Sequence, residues 1–263
     1  MGDWLYSLQF PFMAAFVVLI TFLVTFAIHR VVLGMATGER LRSFKGVSSG
    51  LLSPLGIIFA LLVGFIAAQV WSDMERAHQA VNREASALRS VVLLADAFPG
   101  DGQARFRTLV TRHINEAVTN EWPAMARQRV TLTMVPAALA EGLRLALELK
   151  PEGAGQMAAQ REIIASFQAA LDARRQRIIV SEASLDWVKW FGLILQAIVT
   201  LVAIAFVHSD NRTTSALALG LFATAVALAM LLIASHNRPF AGPVAIEPDV
   251  LLQVMPEGNS AER

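Results

Sequence analysis

The sequence predicts an all-α integral membrane protein: four transmembrane helices, arranged two and two, flanking a helical domain that faces water. Two observations carry this. Only 16% of the 263 residues are charged and 55% are hydrophobic, where soluble domains carry about 25% charged residues. The shortage is also concentrated, since residues 4–29, 46–72, 190–209 and 213–237 contain no Asp, Glu, Lys or Arg. Each run reaches the roughly 20 residues that a helix needs to cross a hydrocarbon core about 30 Å thick. None alternates apolar and polar residues as barrel strands do. Hydrocarbon cannot satisfy an open backbone, so the runs read as helices.

The first span is expected over Pro11–Leu33, with Trp4, Tyr6 and Phe10 ahead of it as interfacial aromatics. Asp3 is the only charge before it, without the basic lead of a signal peptide, so the run reads as a retained anchor. A polar connection with Arg40, Arg42 and Lys45 leads to the second span, Leu51–Trp71. Pro54 sits near its start, where a missing N–H costs least, and Trp71 marks the far interface. No Gly or Pro lies between Phe65 and Phe98, so this helix is expected to run on into the water-facing domain. The alternative is a fresh start at Ser72-x-x-Glu75, a capping-box pattern.

From Asp73 to Lys189 the chain is rich in charge, and its apolar residues recur at helical spacing in three stripes. These are Val81, Leu88, Val91, Ala95 and Phe98; Phe106, Leu109, Val110, Ile114, Ala117 and Val118; and Met157, Ile163, Ile164, Phe167, Leu171 and Ile178. Pro99-Gly100-Asp101-Gly102, Trp122-Pro123, Pro136 and Lys150-Pro151-Glu152-Gly153 punctuate them. Four or five bundled helices are expected, with Val130–Val135 as the one candidate strand. The third span is expected over Val188–Val207, entered at Trp187 and Trp190, and a tight turn at His208–Arg212 leads to the fourth, Ser215–Ser235. The organisation is then residues 1–71 as a first hairpin, 72–187 as the helical domain, 188–237 as a second hairpin and 238–263 as a short tail.

Four spans put both termini on the side of the middle domain. With the domain in the cytoplasm, its membrane-proximal ends and the tail supply Arg76, Arg83, Arg89, Arg174, Arg175, Arg177, Lys189 and Arg238. With the domain outside, the short connections supply Arg30, Arg40, Arg42, Lys45 and Arg212. Basic residues collect on the cytoplasmic side, but long domains count weakly, so the count leans only slightly towards a cytoplasmic domain in a bacterial inner membrane.

Little in the chain carries chemistry. There is no cysteine, and the net charge of +1 gives no case for a nucleic-acid partner. The histidines (His29, His78, His113, His208, His236) fit no zinc spacing, and no phosphate or dinucleotide loop is present, so no metal or cofactor is expected. Gly46-x-Ser48-x-Gly50 fits a nucleophile-elbow pattern only literally, without the strand, helix and partners the elbow needs. An enzyme is not expected. The same glycines, Gly46 and Gly50, with Gly64 and Ala68 deeper in the span, have the small-residue spacing that lets helices approach in lipid. No span carries an ionisable residue near its middle, which argues against a proton-driven transporter.

A pore walled by apolar side chains remains open, because hydrophobic constrictions can gate by dewetting. One four-helix subunit cannot hold such a pore without displacing its own core, so several copies would each place a helix around a symmetry axis. The second span is the candidate. Ile57, Leu61 and Phe65 lie four apart along one face, and Gln69, its only amide, follows one turn on. On spacing alone the plainer reading is preferred, that these three face lipid or the bundle interior.

Residues 54–71, Pro-Leu-Gly-Ile-Ile-Phe-Ala-Leu-Leu-Val-Gly-Phe-Ile-Ala-Ala-Gln-Val-Trp, resemble the second transmembrane helix of bestrophins. The stretch Trp71 to Ala77, Val81-Asn82-Arg83-Glu84-Ala85, Asn120-Glu121-Trp122-Pro123 and Arg238-Pro239-Phe240-Ala241-Gly242 resemble a bacterial bestrophin-like family, whose layout of two spans, helical domain and two spans covers nearly the whole chain. Bestrophins are pentameric ion channels whose second helices line a pore with a three-residue apolar neck. The resemblance implies that Ile57, Leu61 and Phe65 are that neck, that the middle domain is cytoplasmic, and that the partners are lipid, small inorganic ions and further copies of the chain. It implies no calcium gating, since the acidic cluster of animal bestrophins is missing. Trp71, Glu84, Glu121, Trp122, Pro123, Arg238, Pro239 and Phe240 are expected to be architectural. The expectation is an oligomeric, pentameric bestrophin-like channel of the inner membrane. The alternative is a membrane signalling or scaffold protein whose helical domain binds a ligand or partner.

Overall fold

The structure is a computed structural model that describes residues 6, 8–36, 49–133 and 136–256. Among these residues every regular element is helical. In chain order they are α1 (Phe10–Met35), α2 (Leu52–Leu94), α3 (Asp101–Glu116), α4 (Trp122–Ala126), α5 (Ala137–Glu148), α6 (Ala154–Ser181), α7 (Trp187–Val207), α8 (Arg212–His236) and α9 (Asp249–Leu252). Four of them, α1, α2, α7 and α8, are long and apolar enough to cross a membrane. Within the suspected strand, residues 130–133 form turn and irregular chain; Met134, Val135 and Gly46 lie outside the described residues.

The helix α2 runs without a break from Leu52 to Leu94, so Ser72-x-x-Glu75 starts nothing. Its apolar, uncharged part ends at Trp71 and Ser72, and the residues beyond are those of a water-facing helix. Pro54 is its third residue, among the first four N–H positions that have no partner inside a helix.

The chain divides into two compact units. The first holds the residues up to Ser72, Ser184–Asn237 and Gly242–Val244. Here α1 packs on α8 and α7, around a core that includes Val17, Phe59, Ile66, Val70, Leu193, Ala197, Val226 and Ile233. Much of the outer surface is large and apolar, with Phe12, Leu19, Phe26, Leu195, Leu221 and Leu228 all exposed. A surface of this kind suits hydrocarbon and not water. The turn between the third and fourth spans ends at Asn211, whose side-chain oxygen accepts from the Thr213 and Thr214 N–H groups at 3.0 and 3.2 Å. That N-cap satisfies two of the orphan donors of α8. At the other end, the buried Asn237 accepts from the Leu185 N–H at 2.8 Å and donates to the Tyr6 hydroxyl at 2.6 Å.

The second unit holds Asp73–Ala183, Arg238–Ala241 and the residues from Ala245 onward. The later half of α2 bundles with α3, α5 and α6. The core takes most of the three predicted stripes, among them Val81, Leu88, Val91, Phe106, Val110, Ile114, Ile163, Phe167 and Ile178. Gly100, at φ 84°, supplies a left-handed residue just ahead of α3. Within the expected tail, Phe240, Ile246, Leu251 and Val254 are buried in this core.

Candidate functional site

In the first unit the second span has two unlike faces. At 100° per residue, Phe59, Ile66 and Val70 lie about 160° round the helix from Ile57, Leu61 and Phe65. The first three are buried against α7 and α8, with the Phe59 ring tilted on Phe222 at 5.4 Å. The other three are left largely open by the described residues: Ile57 is 57% exposed, Leu61 55% and Phe65 73%. Gly64 and Ala68 share the exposed side, and a methyl placed on Gly64 would find no atom within 4 Å. Among the described residues of one chain, therefore, no other helix packs on this small-residue pair. Gly50 lies in the short turn Ser49–Leu51 that leads into α2.

Gln69, one turn past Phe65, is also exposed. Its Oε1 accepts a hydrogen bond from Lys189 Nζ at 3.0 Å. Trp71 is exposed and meets His236 edge-on at 6.2 Å.

The second unit contains a buried ionic network that joins Glu84 on α2, His113 on α3, Glu121, and Arg174 and Arg177 on α6. Arg177 Nε donates to Glu84 Oε2 at 2.7 Å and Nη2 donates to Glu84 Oε1 at 3.1 Å. The same Nη2 donates to Glu121 Oε2 at 2.8 Å. Arg174 Nε donates to Glu121 Oε1 at 2.7 Å, and His113 Nε2 donates to Glu84 Oε1 at 2.8 Å. Glu84 and Arg177 are both 0% exposed, and the two carboxylates balance the two guanidiniums. Burial alone would push the Glu84 carboxyl up, but the Arg177 charge and the hydrogen bonds from His113 and Arg177 outweigh it and hold the group at about 2. Burial likewise works against the Arg177 charge, and Glu84, then Glu121, offset it, so the guanidinium is held above its ordinary value.

Local chain geometry brings Glu121 and Trp122 inward. Pro123, in the first turn of α4, has no N–H to give to a carbonyl four residues earlier. The turn before it, Ala117–Glu121, is widened to a π-helical one, a distortion that re-aims side chains. The Trp122 ring then covers the Arg177 guanidinium at 4.7 Å. Its Nε1 donates to the Ile246 carbonyl at 2.9 Å, and Phe240 meets it edge-on at 5.6 Å. The Pro239 carbonyl accepts from the Ile246 N–H at 2.8 Å. Glu84, Glu121, Trp122 and Phe240 thus form one connected assembly within the second unit.

Sequence reasoning missed His113, Arg174 and Arg177 as members of this assembly. A signal was present in their spacing. His113 follows Leu109 and Val110 at helical intervals, Arg174 follows Leu171, and Arg177 lies one turn beyond Arg174. A charge at a core position demands a partner. Among the described residues no three His, Cys, Asp or Glu are placed to hold a metal ion.

The sequence model of the bestrophin-like domain matches residues 15–251. The fold is similar to the crystal structure of a mutant bacterial bestrophin homologue from Klebsiella pneumoniae, at TM-score 0.69 and 12% identity, covering 92% of this chain and 96% of that one. A second mutant of a Klebsiella pneumoniae homologue matches at TM-score 0.63 and 12% identity, covering 90% and 94%. A mutant described only as a membrane protein matches at TM-score 0.70 and 13% identity, covering 92% and 96%. No curated protein matches the chain.

Proposed function

The chain belongs to the bestrophin-like family, and from that membership we propose that it is an ion channel assembled from several copies, five by the family's pattern, with Ile57, Leu61 and Phe65 as an apolar neck. One observation carries the reading. The second span is fully partnered on one side and leaves a bulky apolar face uncovered on the other, although its chain has three further spans that could have covered it. Arranged around an axis, that face makes a constriction that water and ions cross only when it widens. Gln69 then stands where the pore opens into water, and Gly64 and Ala68 let neighbouring copies of α2 come close. The same reading puts the second unit on the cytoplasmic side of a bacterial inner membrane. The absence of native cysteine makes that side testable by single cysteines and an impermeant thiol reagent.

Reconstituted protein should pass small ions down a gradient. Phe65→Ala and Leu61→Ala should raise the flux about tenfold or alter its rectification, since each removes much of a side chain from the constriction. Light scattering of the detergent particle should give five copies. A silent protein that is monomeric or dimeric in detergent would remove the basis for the reading.

A further inference from the structure

We propose that Lys189 tilts permeation towards anions by placing an ammonium group at the cytoplasmic end of the neck. The inference rests on the channel reading above and adds a charge preference to it. An apolar neck has no means of choosing ions by sign, so the fixed charge nearest its end makes the choice. The first unit offers few such charges, because α2 carries none from Leu52 to Ser72. Lys189, on the first turn of α7, reaches across to α2 and donates to Gln69 Oε1 at 3.0 Å.

Gln69 lies one turn from Phe65 and about 40° round the helix from it. Any assembly that turns Phe65 towards an axis therefore carries Gln69, and the ammonium held by it, to the mouth of the same passage. Among the described residues, Asp186 is the carboxylate paired with this group, at 3.6 Å from Nζ. It is 65% exposed against 38% for the lysine, so water screens it more. Along α2 the next charges are Asp73 and its ion-pair partner Arg76, one turn or more beyond Gln69, so the lysine, held at Gln69 by the amide oxygen, stands ahead of them on the way to the neck. In a symmetric assembly the ammonium groups form a ring, and their potentials add.

The absence of cysteine makes the test clean. Lys189→Cys, in the full chain reconstituted in planar bilayers, is read by its reversal potential in a tenfold salt gradient. Readings are taken before and after reaction with a positively charged thiol reagent and, separately, a negatively charged one. Loss of the lysine should lower the anion-over-cation permeability ratio by about threefold to tenfold, the size expected of a ring of unit charges screened over about 8–10 Å. The positive adduct should restore the wild-type ratio, the negative adduct should lower it further, and Lys189→Arg should leave it unchanged. Should Lys189→Cys not fold, Gln69→Cys is read with the same reagents, and its adducts should move the ratio in the same directions. A variant that conducts with the wild-type reversal potential, unmoved by either adduct, overturns the role of Lys189 while leaving the channel intact. Wild-type protein that passes no ion in any gradient overturns the channel reading and this inference together.

Discussion

Removing Arg177 should cost the second unit much of its stability, and removing its partner as well should restore most of it. Arg177 makes two hydrogen bonds to Glu84 and one to Glu121, and its guanidinium lies under the Trp122 ring. In Arg177→Met the Glu121 carboxylate keeps Arg174, but Glu84 keeps only the His113 N–H. A buried charge stripped of its counter-ion costs about 3–5 kcal/mol. Protonation offers Glu84 an escape, and it has a calculable cost. Holding a group with an ordinary value of 4.5 neutral at pH 7 takes about 3.4 kcal/mol at 1.36 kcal/mol per pH unit. Both routes give a loss of about 3–4 kcal/mol. At about 4 °C per kcal/mol, between the values for smaller and larger domains, the midpoint should fall by about 10–15 °C.

The assay is thermal unfolding in detergent at pH 7, followed by tryptophan fluorescence and by helical circular dichroism. The Glu84→Leu, Arg177→Met double variant supplies the control. Replacing a buried ion pair by apolar groups of similar volume is often neutral or better, so the double variant should unfold well above the single one. A single variant within about 0.5 kcal/mol of wild type, near the scatter of an ordinary surface change, would refute the reasoning. So would a double variant that loses the sum of the two single losses.

The same network predicts acid sensitivity. The Glu84 carboxyl is held at about 2 in the fold against 4.5 without it, so its contribution is present above pH 4.5 and is lost as pH falls from 4.5 towards 2. The gap is worth about 3 kcal/mol, and a melting-temperature profile over that window should be flatter in Glu84→Gln than in wild type. Gly142→Ala should destabilise the unit by about 1–3 kcal/mol in denaturant titration. The new methyl would overlap the Phe167 ring, which is fully buried and cannot move aside cheaply.

The spans were legible because a single physical term decides them. Twenty uncharged residues in a row can be satisfied in hydrocarbon only as helix, so α1, the first part of α2, α7 and α8 followed from charge placement alone. The continuation of α2 followed from the absence of Gly and Pro between Phe65 and Phe98. The network was not legible, for a different reason. Glu84, Glu121 and Arg177 lie on three separate segments, and no periodicity says which charges will be buried together. The π-helical turn that brings in Glu121 and Trp122 adds one residue to a helical register, which a count by threes and fours cannot register. Arg174 and Arg177 also entered the inside-outside charge count as free cations, whereas each is buried against a carboxylate. The fate of the last residues was hidden likewise, since Phe240, Ile246 and Leu251 are too scattered to declare a core face.

The uncovered face of α2 needs an argument beyond exposure, because α1 also shows Phe12, Leu19 and Phe26 to the outside and lipid covers such residues equally well. Uncovered glycines are not special to α2, since Gly34, Gly192 and Gly220 on the other spans also have open space around them; what marks α2 is a small-residue pair set beside the row Ile57, Leu61 and Phe65. Gly64 and Ala68 lie within about 60° of Leu61 round the helix, and a glycine inside a helix costs about 1 kcal/mol against alanine. Lipid returns nothing for that loss, since acyl chains pack on leucine as well as on glycine. A second helix does return it, because a missing side chain lets two backbones approach and gain dispersion contacts. A face that alternates bulky residues with gaps is therefore better matched to a copy of itself than to lipid. The polar pair of Gln69 and Lys189 follows directly beyond that face, where a passage leaving the membrane would meet water.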